Sequence, residues 1–243
     1  MTDLHTHILP GIDDGAQSVE ESLAMLRMER SQGVDTVVLT PHFYRDRENP
    51  KRFLRRRQES AAVLARRVLA LSEQEREELP QMLLGAEVAW WPNMADWEEL
   101  PEMCIGDTKN LLLELPFTPW NDQMIYQLHE LFGRTGITPI IAHLERYLKN
   151  QRPEYIQEVL GLGVPIQISG DILLRPFARS GAMKLLQRNL SCVVASDCHR
   201  SAGRAPNLEA AMDLLRRKLG NSEAEAMIRR ADELLSVKRD EIN

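Results

Sequence analysis

Apolar residues along the chain follow two alternating patterns. Short runs such as Val37-Val38-Leu39, Ile140-Ile141-Ala142 and Cys192-Val193-Val194 are apolar at nearly every position. Between them lie longer stretches in which apolar side chains return every three or four residues. The first pattern suits parallel strands covered on both faces, the second amphipathic helices. Strands are predicted at 2–5, 36–40, 82–87, 111–115, 139–142, 165–169 and 192–196. Helices are predicted from 18 to about 32, and at 52–71, 122–134, 153–160, 176–188, 208–219 and 222–235. The first helix opens on a capping-box pattern, Ser18 followed three residues later by Glu21, and Gly33 closes it.

Seven strands alternating with helices predict a parallel α/β fold with right-handed crossovers. A closed or nearly closed barrel and an open doubly wound sheet both fit the alternation. No internal repeat, low-complexity tract or long linker divides the 243 residues, so a single domain over 1–243 is expected. A chain of this length buries roughly 70–75% of its unfolded surface.

Composition narrows the class. With 43% apolar and 27% charged residues the chain is neither disordered nor fibrous. No apolar run reaches the ~18 residues of a membrane span, and the start, MTDLHTH, has neither the basic nor the apolar region of a signal peptide. A net charge of −6 disfavours general nucleic-acid binding, which rests on Lys and Arg. Three cysteines, Cys104, Cys192 and Cys198, make no disulfide framework and fit a reducing cytoplasm. A cytoplasmic location without membrane insertion is expected.

Histidine placement carries the chemistry. His5 and His7 form His-x-His at the end of the first strand, where residues two apart point to one side. His42 follows the second strand, His143 the fifth, and His199 the seventh as Asp197-x-His199. Glu87 ends the third strand, Glu114 lies near the end of the fourth, and Asp13 and Asp14 follow the first. All fall at strand carboxyl ends, where parallel α/β folds place active sites. A lone histidine or strand-end acid is ordinary. Five of six histidines gathered at strand ends are not, and only His129, mid-helix, reads as plain surface. The mixed nitrogen and oxygen donors suit Mn, Fe, Co or Zn, and their number implies two or three ions.

His5-Thr6-His7, the Asp13-Asp14-Gly15 loop, Thr40-Pro41-His42, Gly85-Ala86-Glu87, the run 142–147 (AHLERY) and Ser196-Asp197-x-His199 resemble the PHP superfamily (polymerase and histidinol phosphatase). More narrowly they resemble the bacterial tyrosine-protein phosphatases of capsule and exopolysaccharide operons, from residue 1 to about 220. The resemblance implies a distorted (β/α)7 TIM-like barrel, the PHP fold, with up to three divalent ions, usually Mn2+. One ion would take His5, His7, Glu87 and Asp197. A second would take Glu87 as a bridge, Glu114 and His143. The third would take Asp14, His42 and His199, with Asp13 an alternative to Asp14. Arg146 and Arg204 match the family's phosphate-binding arginines.

The implied activity is that of a manganese-dependent phosphoric monoester hydrolase acting on phosphotyrosine, on a membrane tyrosine autokinase of polysaccharide export. A homo-oligomer is compatible with it. Four carboxylates against three divalent ions leave the centre about two charges positive, matched to a phosphate dianion. The ions would acidify water, the arginines would grip phosphate oxygens, and a phenolate leaves without a strong acid. Gln167 and Ser169 are candidates for orienting the ligands. A PHP-type small-molecule phosphatase, such as a histidinol-phosphate phosphatase, shares the ligand set.

Two other signals compete for attention. Cys198 to Arg204 (CHRSAGR) spells C-x5-R, the signature of cysteine-dependent tyrosine phosphatases, although such chemistry has no use for the strand-end histidines. The basic run 45–57 (RDRENPKRFLRRR) is either a solvated face, an oligomer contact or a rim that recruits an acidic, tyrosine-rich segment. Trp90, Trp91, Trp97 and Trp120 flank strand-end loops, where they either wall a pocket or simply pack.

Overall fold

The computed structural model describes residues 1–188 and 191–236; the remaining positions of the expected 1–243 domain lie outside the described residues. The elements run β1 (Thr2–Thr6), α1 (Val19–Ser31), β2 (Thr36–Leu39), β3 (His42–Phe43), α2 (Pro50–Leu69), α3 (Glu73–Glu77), β4 (Gln81–Leu84), β5 (Glu87–Ala89) and β6 (Asn110–Glu114). They continue through α4 (Asp122–Thr135), β7 (Thr138–Ile141), α5 (Pro153–Gly161), β8 (Ile166–Ser169), α6 (Gly170–Leu174), α7 (Ser180–Gln187), β9 (Cys192–Ala195), α8 (Leu208–Leu219) and α9 (Asn221–Leu234). Helix starts follow local chemistry. The Ser18 side chain accepts from Glu21 N–H, and Asn49 caps α2 with Pro50 in its first turn. The Ser18 box is only half formed, because the Glu21 carboxylate takes the Gln17 N–H instead. A complete box, Ser72 with Glu75, starts α3, which the pattern did not predict.

Every strand pair is parallel, in two sheets of order β1-β2-β4 and β3-β5-β6-β7-β8-β9. Backbone hydrogen bonds link them on both sides. Leu39 and Pro41 carbonyls accept from Gly85 and Glu87 N–H, at 2.9 and 3.1 Å; Asp197 and His7 donate to the His5 and Cys198 carbonyls, at 2.9 and 2.8 Å. The strand expected at 82–87 is therefore two, and Glu87 opens the second piece rather than ending the first. Gly85 sits at the break because the chains crowd there. A Cβ on it would lie 3.2 Å from Val38 and 3.3 Å from Thr40. The helix expected at 176–188 starts only at Ser180, and the short α6 precedes it.

Alternate strand residues divide between two apolar layers. Leu112, Ile140, Val38 and Val193 pack together with Leu4, while Leu111, Leu113, Ile141 and Val194 pack outward against the helices. Ala231 of α9 joins the inner group. Hydrogen bonds from Thr2 to Asp232 and from Asn110 to the Leu234 carbonyl hold α9 across the strands' amino ends. The carboxyl ends stay free for polar side chains.

Candidate metal centre

The strand-end residues meet around Glu87, which is 1% exposed. His5 Nε2 and His7 Nε2 lie 3.1 Å apart. They stand 3.2 and 3.4 Å from Glu87 Oε2 and 3.6 and 3.7 Å from Asp197 Oδ1. Donors about 2.1 Å from a shared ion are themselves roughly 3.0–3.4 Å apart, so the His5, His7 and Glu87 atoms outline edges of a coordination shell, with Asp197 Oδ1 just beyond that spacing. The other oxygen, Glu87 Oε1, lies 2.8 Å from His143 Nε2, which is 3.6 Å from Glu114 Oε1. Asp14 Oδ1 is 3.5 Å from both His42 Nε2 and His199 Nε2. His42 also turns Nδ1 to within 2.8 Å of Glu87 Oε2, and so spans two clusters. All nine expected donors are thus brought together.

Local backbone explains how. β1 pairs Asp3 with Val37 but Thr6 with Leu39, one residue more than β2 supplies. This bulge lets Leu4 pack in the inner layer while His5 also reaches Gln167. His143 and Asp197 adopt left-handed backbone angles, φ 34° and 53°, unusual for residues other than glycine and frequent at functional sites. The loop after β1 folds back over His7. A Cβ on Gly15 would fall 2.1 Å from the His7 carbonyl oxygen, so only glycine fits there.

A further layer fixes the imidazoles. His7 Nδ1–H donates to Asp13 Oδ2 at 2.8 Å, leaving Nε2 free to bind. Asp13 also accepts from the N–H groups of Gly15 and His42. Asp13 therefore supports His7, while Asp14 faces His42 and His199. Gln167 Oε1 lies 3.3 Å from His5 Nδ1 and accepts from His143 N–H at 2.8 Å, as expected of an orienting residue. Ser169 does otherwise: its N–H donates to Glu145 and touches no donor of the centre.

Charge and burial fit an ion. Glu87 Oε2, though within 3.4 Å of three imidazole nitrogens, has no aligned hydrogen bond, and neither does buried His199 Nε2. Burial would push His7 down, yet the hydrogen bond to Asp13 and the nearby Glu87 charge raise it to about 10. Burial would raise Asp197, but His5 and Arg146 hold it below the usual carboxylate range. Burial and the Glu87 charge lift Glu114 to about 7, and burial with the neighbouring His7 charge lowers His199 to about 3. Without an ion, protons on His5 and His7 offset the carboxylates. A divalent cation supplies that positive charge at the same place.

Arg146 and Arg204 both reach Asp197, Arg204 Nη2 at 2.8 Å from Oδ1. Each guanidinium is partly exposed, at 35% and 43%. The cysteine alternative fails on burial. Cys198 is fully buried, its Sγ 3.4 Å from Glu29 Oε1, and burial with the Glu29 charge pushes the thiol well above its ordinary range. Arg57 also departs from the solvated-run expectation: it is buried and donates to the Gly85 and Glu102 carbonyls, holding the strand break. Of the tryptophans, Trp91 and Trp97 pack with Phe43, and Trp120 is buried with its Nε1–H on the Pro116 carbonyl. Tyr44, stacked on His42, and Phe117, 53% exposed beside His143, line the rim without any signal in their spacing.

The family model for capsular polysaccharide synthesis, CpsB/CapC, matches residues 1–236. This chain belongs to the CpsB/CapC family. It is 30% identical over 241 residues to the tyrosine-protein phosphatase CpsB of Streptococcus pneumoniae, covering 93% of this chain and 94% of that one. It is also 30% identical to the tyrosine-protein phosphatase YwqE of Bacillus subtilis, over 97% of this chain and 91% of the relative. A crystal structure from work on YwqE and S. pneumoniae CpsB, described as unique metal-dependent tyrosine phosphatases, superposes with a TM-score of 0.82 at 25% identity. That match covers 98% of this chain and 96% of the other, so the CpsB/CapC fold extends over essentially the whole molecule.

Proposed function

We propose that this CpsB/CapC protein is a metal-dependent phosphatase of phosphotyrosine in capsular polysaccharide synthesis. Its frame is read as one distorted seven-stranded (β/α) barrel of PHP type, in which β2 with β3 and β4 with β5 each count as one interrupted strand. The carrying observation is the nest of donors around Glu87 with two arginines at its edge. His5, His7, Glu87 and Asp197 would hold one ion, Glu87, Glu114 and His143 a second, and Asp14, His42 and His199 a third. Manganese is the favoured metal, with Fe, Co or Zn matching the same donors. Ions held by these residues would supply Lewis acidity at phosphorus and would lower the pKa of water toward neutrality.

The chain's own residues do the rest. Arg146 and Arg204, half-exposed at the rim, present forked donors to phosphate oxygens. Asp13 and Gln167 keep the His7 and His5 lone pairs aimed inward. Phe117 offers an apolar face to a phenyl ring. The partner is proposed to be a tyrosine autokinase of polysaccharide export, met on the cytoplasmic side. No helix among the described residues is long and apolar enough to cross a membrane.

Phosphate release from a phosphotyrosine peptide, before chelation, after it and after Mn2+ is restored, tests the reading. Loss and rescue are expected. Activity that survives complete metal removal would refute it, and a strong preference for histidinol phosphate would transfer the site to small-molecule chemistry.

A further inference from the structure

An open cleft of about 480 Å3 adjoins the centre. One end is formed by Asp13, Asp14, His42 and Tyr44, the other by Arg47, Glu48, Arg52 and Arg56 around the start of α2. The three arginines are not equivalent. Arg56 is committed: it donates to Glu48 and, at 2.7 Å, to the Ile12 carbonyl, pinning the loop that carries Asp13 and Asp14. Arg52, 63% exposed, has only a loose 3.9 Å approach to Glu48. Arg47 is exposed, its guanidinium 4.2 Å over the Tyr44 ring, and it forms no ion pair among the described residues. Two extended guanidinium groups thus face solvent over one wall of a cleft whose other wall is the candidate centre. Among the described residues lining that wall, the only carboxylate, Glu48, is already engaged by Arg56. Stacking on Tyr44, which itself lies against His42, ties the position of Arg47 to the site.

We infer that Arg47 and Arg52 form an anion subsite that binds an acidic group next to the phosphotyrosine in the same peptide, either an Asp or Glu carboxylate or a second phosphate. The inference rests on the phosphatase reading above and adds a preference for acidic flanks. Its physical basis is that the chain as a whole is acidic, at −6, and would repel acidic peptides without a local basic wall. Partly exposed charge-assisted contacts of this kind are each worth a few-fold in affinity, so the pair together amounts to about tenfold.

The test uses the manganese-loaded protein and three peptides of equal length, each with one phosphotyrosine and flanked by neutral residues, by acidic residues or by a second phosphotyrosine. The ratios of kcat/KM for the two anionic peptides to that for the neutral one are the readout. Wild type is expected to favour both anionic peptides about tenfold at low salt, with the preference carried by KM. Arg47→Gln with Arg52→Gln is expected to bring the ratios near one, and Arg52→Glu to invert them. Unchanged ratios in the double variant overturn the subsite. A preference for only the doubly phosphorylated peptide assigns it to phosphate, and for both peptides to anions in general. Should no peptide be hydrolysed, the phosphatase reading fails. Fluorescence anisotropy of a labelled acidic peptide then decides the subsite separately: equal affinity for wild type and double variant overturns it.

Discussion

Replacing Asp13 with Asn separates the residue proposed to aim a ligand from the neighbour, Asp14, proposed to be one. Asp13 Oδ2 accepts from His7 Nδ1 at 2.8 Å and from the His42 N–H at 3.0 Å, and Oδ1 accepts from the Gly15 N–H at 2.9 Å. Asparagine keeps the shape and one acceptor oxygen but loses the charge. Charge-assisted hydrogen bonds contribute roughly 1.5–3 kcal/mol and neutral ones about 1, so the exchange weakens the His7 contact by about 1–2 kcal/mol. That corresponds to about 5–30-fold in ion affinity, overlapping the range for outer partners of metal-bound histidines. Calorimetric titration of metal-free protein with Mn2+ is the assay, with Asp14→Asn in parallel. Asp13→Asn is expected to weaken binding without changing stoichiometry, whereas Asp14→Asn, at an oxygen 3.5 Å from two imidazoles, removes one equivalent. Affinity within twofold of wild type for Asp13→Asn, or the two outcomes exchanged, refutes the assignment.

Three further outcomes follow from the same geometry. Gly15→Ala places a methyl group 2.1 Å from the His7 carbonyl oxygen and 2.6 Å from its Cβ, so the loop must move; Mn2+ affinity should fall at least tenfold with the thermal midpoint little changed, and undisturbed binding would contradict the close packing. Cys198→Ser should keep phosphate release within a few-fold of wild type, because the thiol is fully buried beside Glu29; abolished turnover in a folded variant would revive thiolate chemistry. Burial raises Glu145 to about 7, well above the ordinary glutamate value of about 4.5. A raised folded pKa means that the protonated form stabilises below pH ~4.5 and that this contribution is lost as pH rises through ~7, so denaturant titrations of Glu145→Gln should show a flatter decline across that window, with a difference of a few kcal/mol at most; parallel curves for the two proteins would exclude it.

The alternation of apolar runs with amphipathic stretches determined the class of fold, because parallel strands covered on both faces cannot be written any other way in residues. The donors were legible for a related reason. Ligands at strand carboxyl ends keep sequence positions that the strand period itself marks, as His5-x-His7 and Asp197-x-His199 do. The C-x5-R run was equally legible and misleading, since spacing says nothing about which side of β9 a thiol faces; packing against Glu29 on α1 decided that. Likewise the basic run 45–57 reads as uniform charge. Tertiary contacts divide it into buried Arg57 on the Gly85 carbonyl, Arg56 on the Ile12 carbonyl, and Arg47 over Tyr44, without an ion pair among the described residues.

Which of Asp13 and Asp14 is the better placed to hold an ion was undecidable from two adjacent carboxylates; the fold-back of the loop over Gly15 favours Asp14, because it gives Asp13 three donors of its own. The bulge in β1 and the strand break at Gly85 were invisible for the same reason. Both depend on register against a neighbouring strand, and register comes from pairing partners distant in sequence. Sequence alone thus supplied the donors and the end of the fold at which they gather. Only the folded chain, through bulge, loop closure and left-handed turns at His143 and Asp197, brought each donor atom within 4 Å of another.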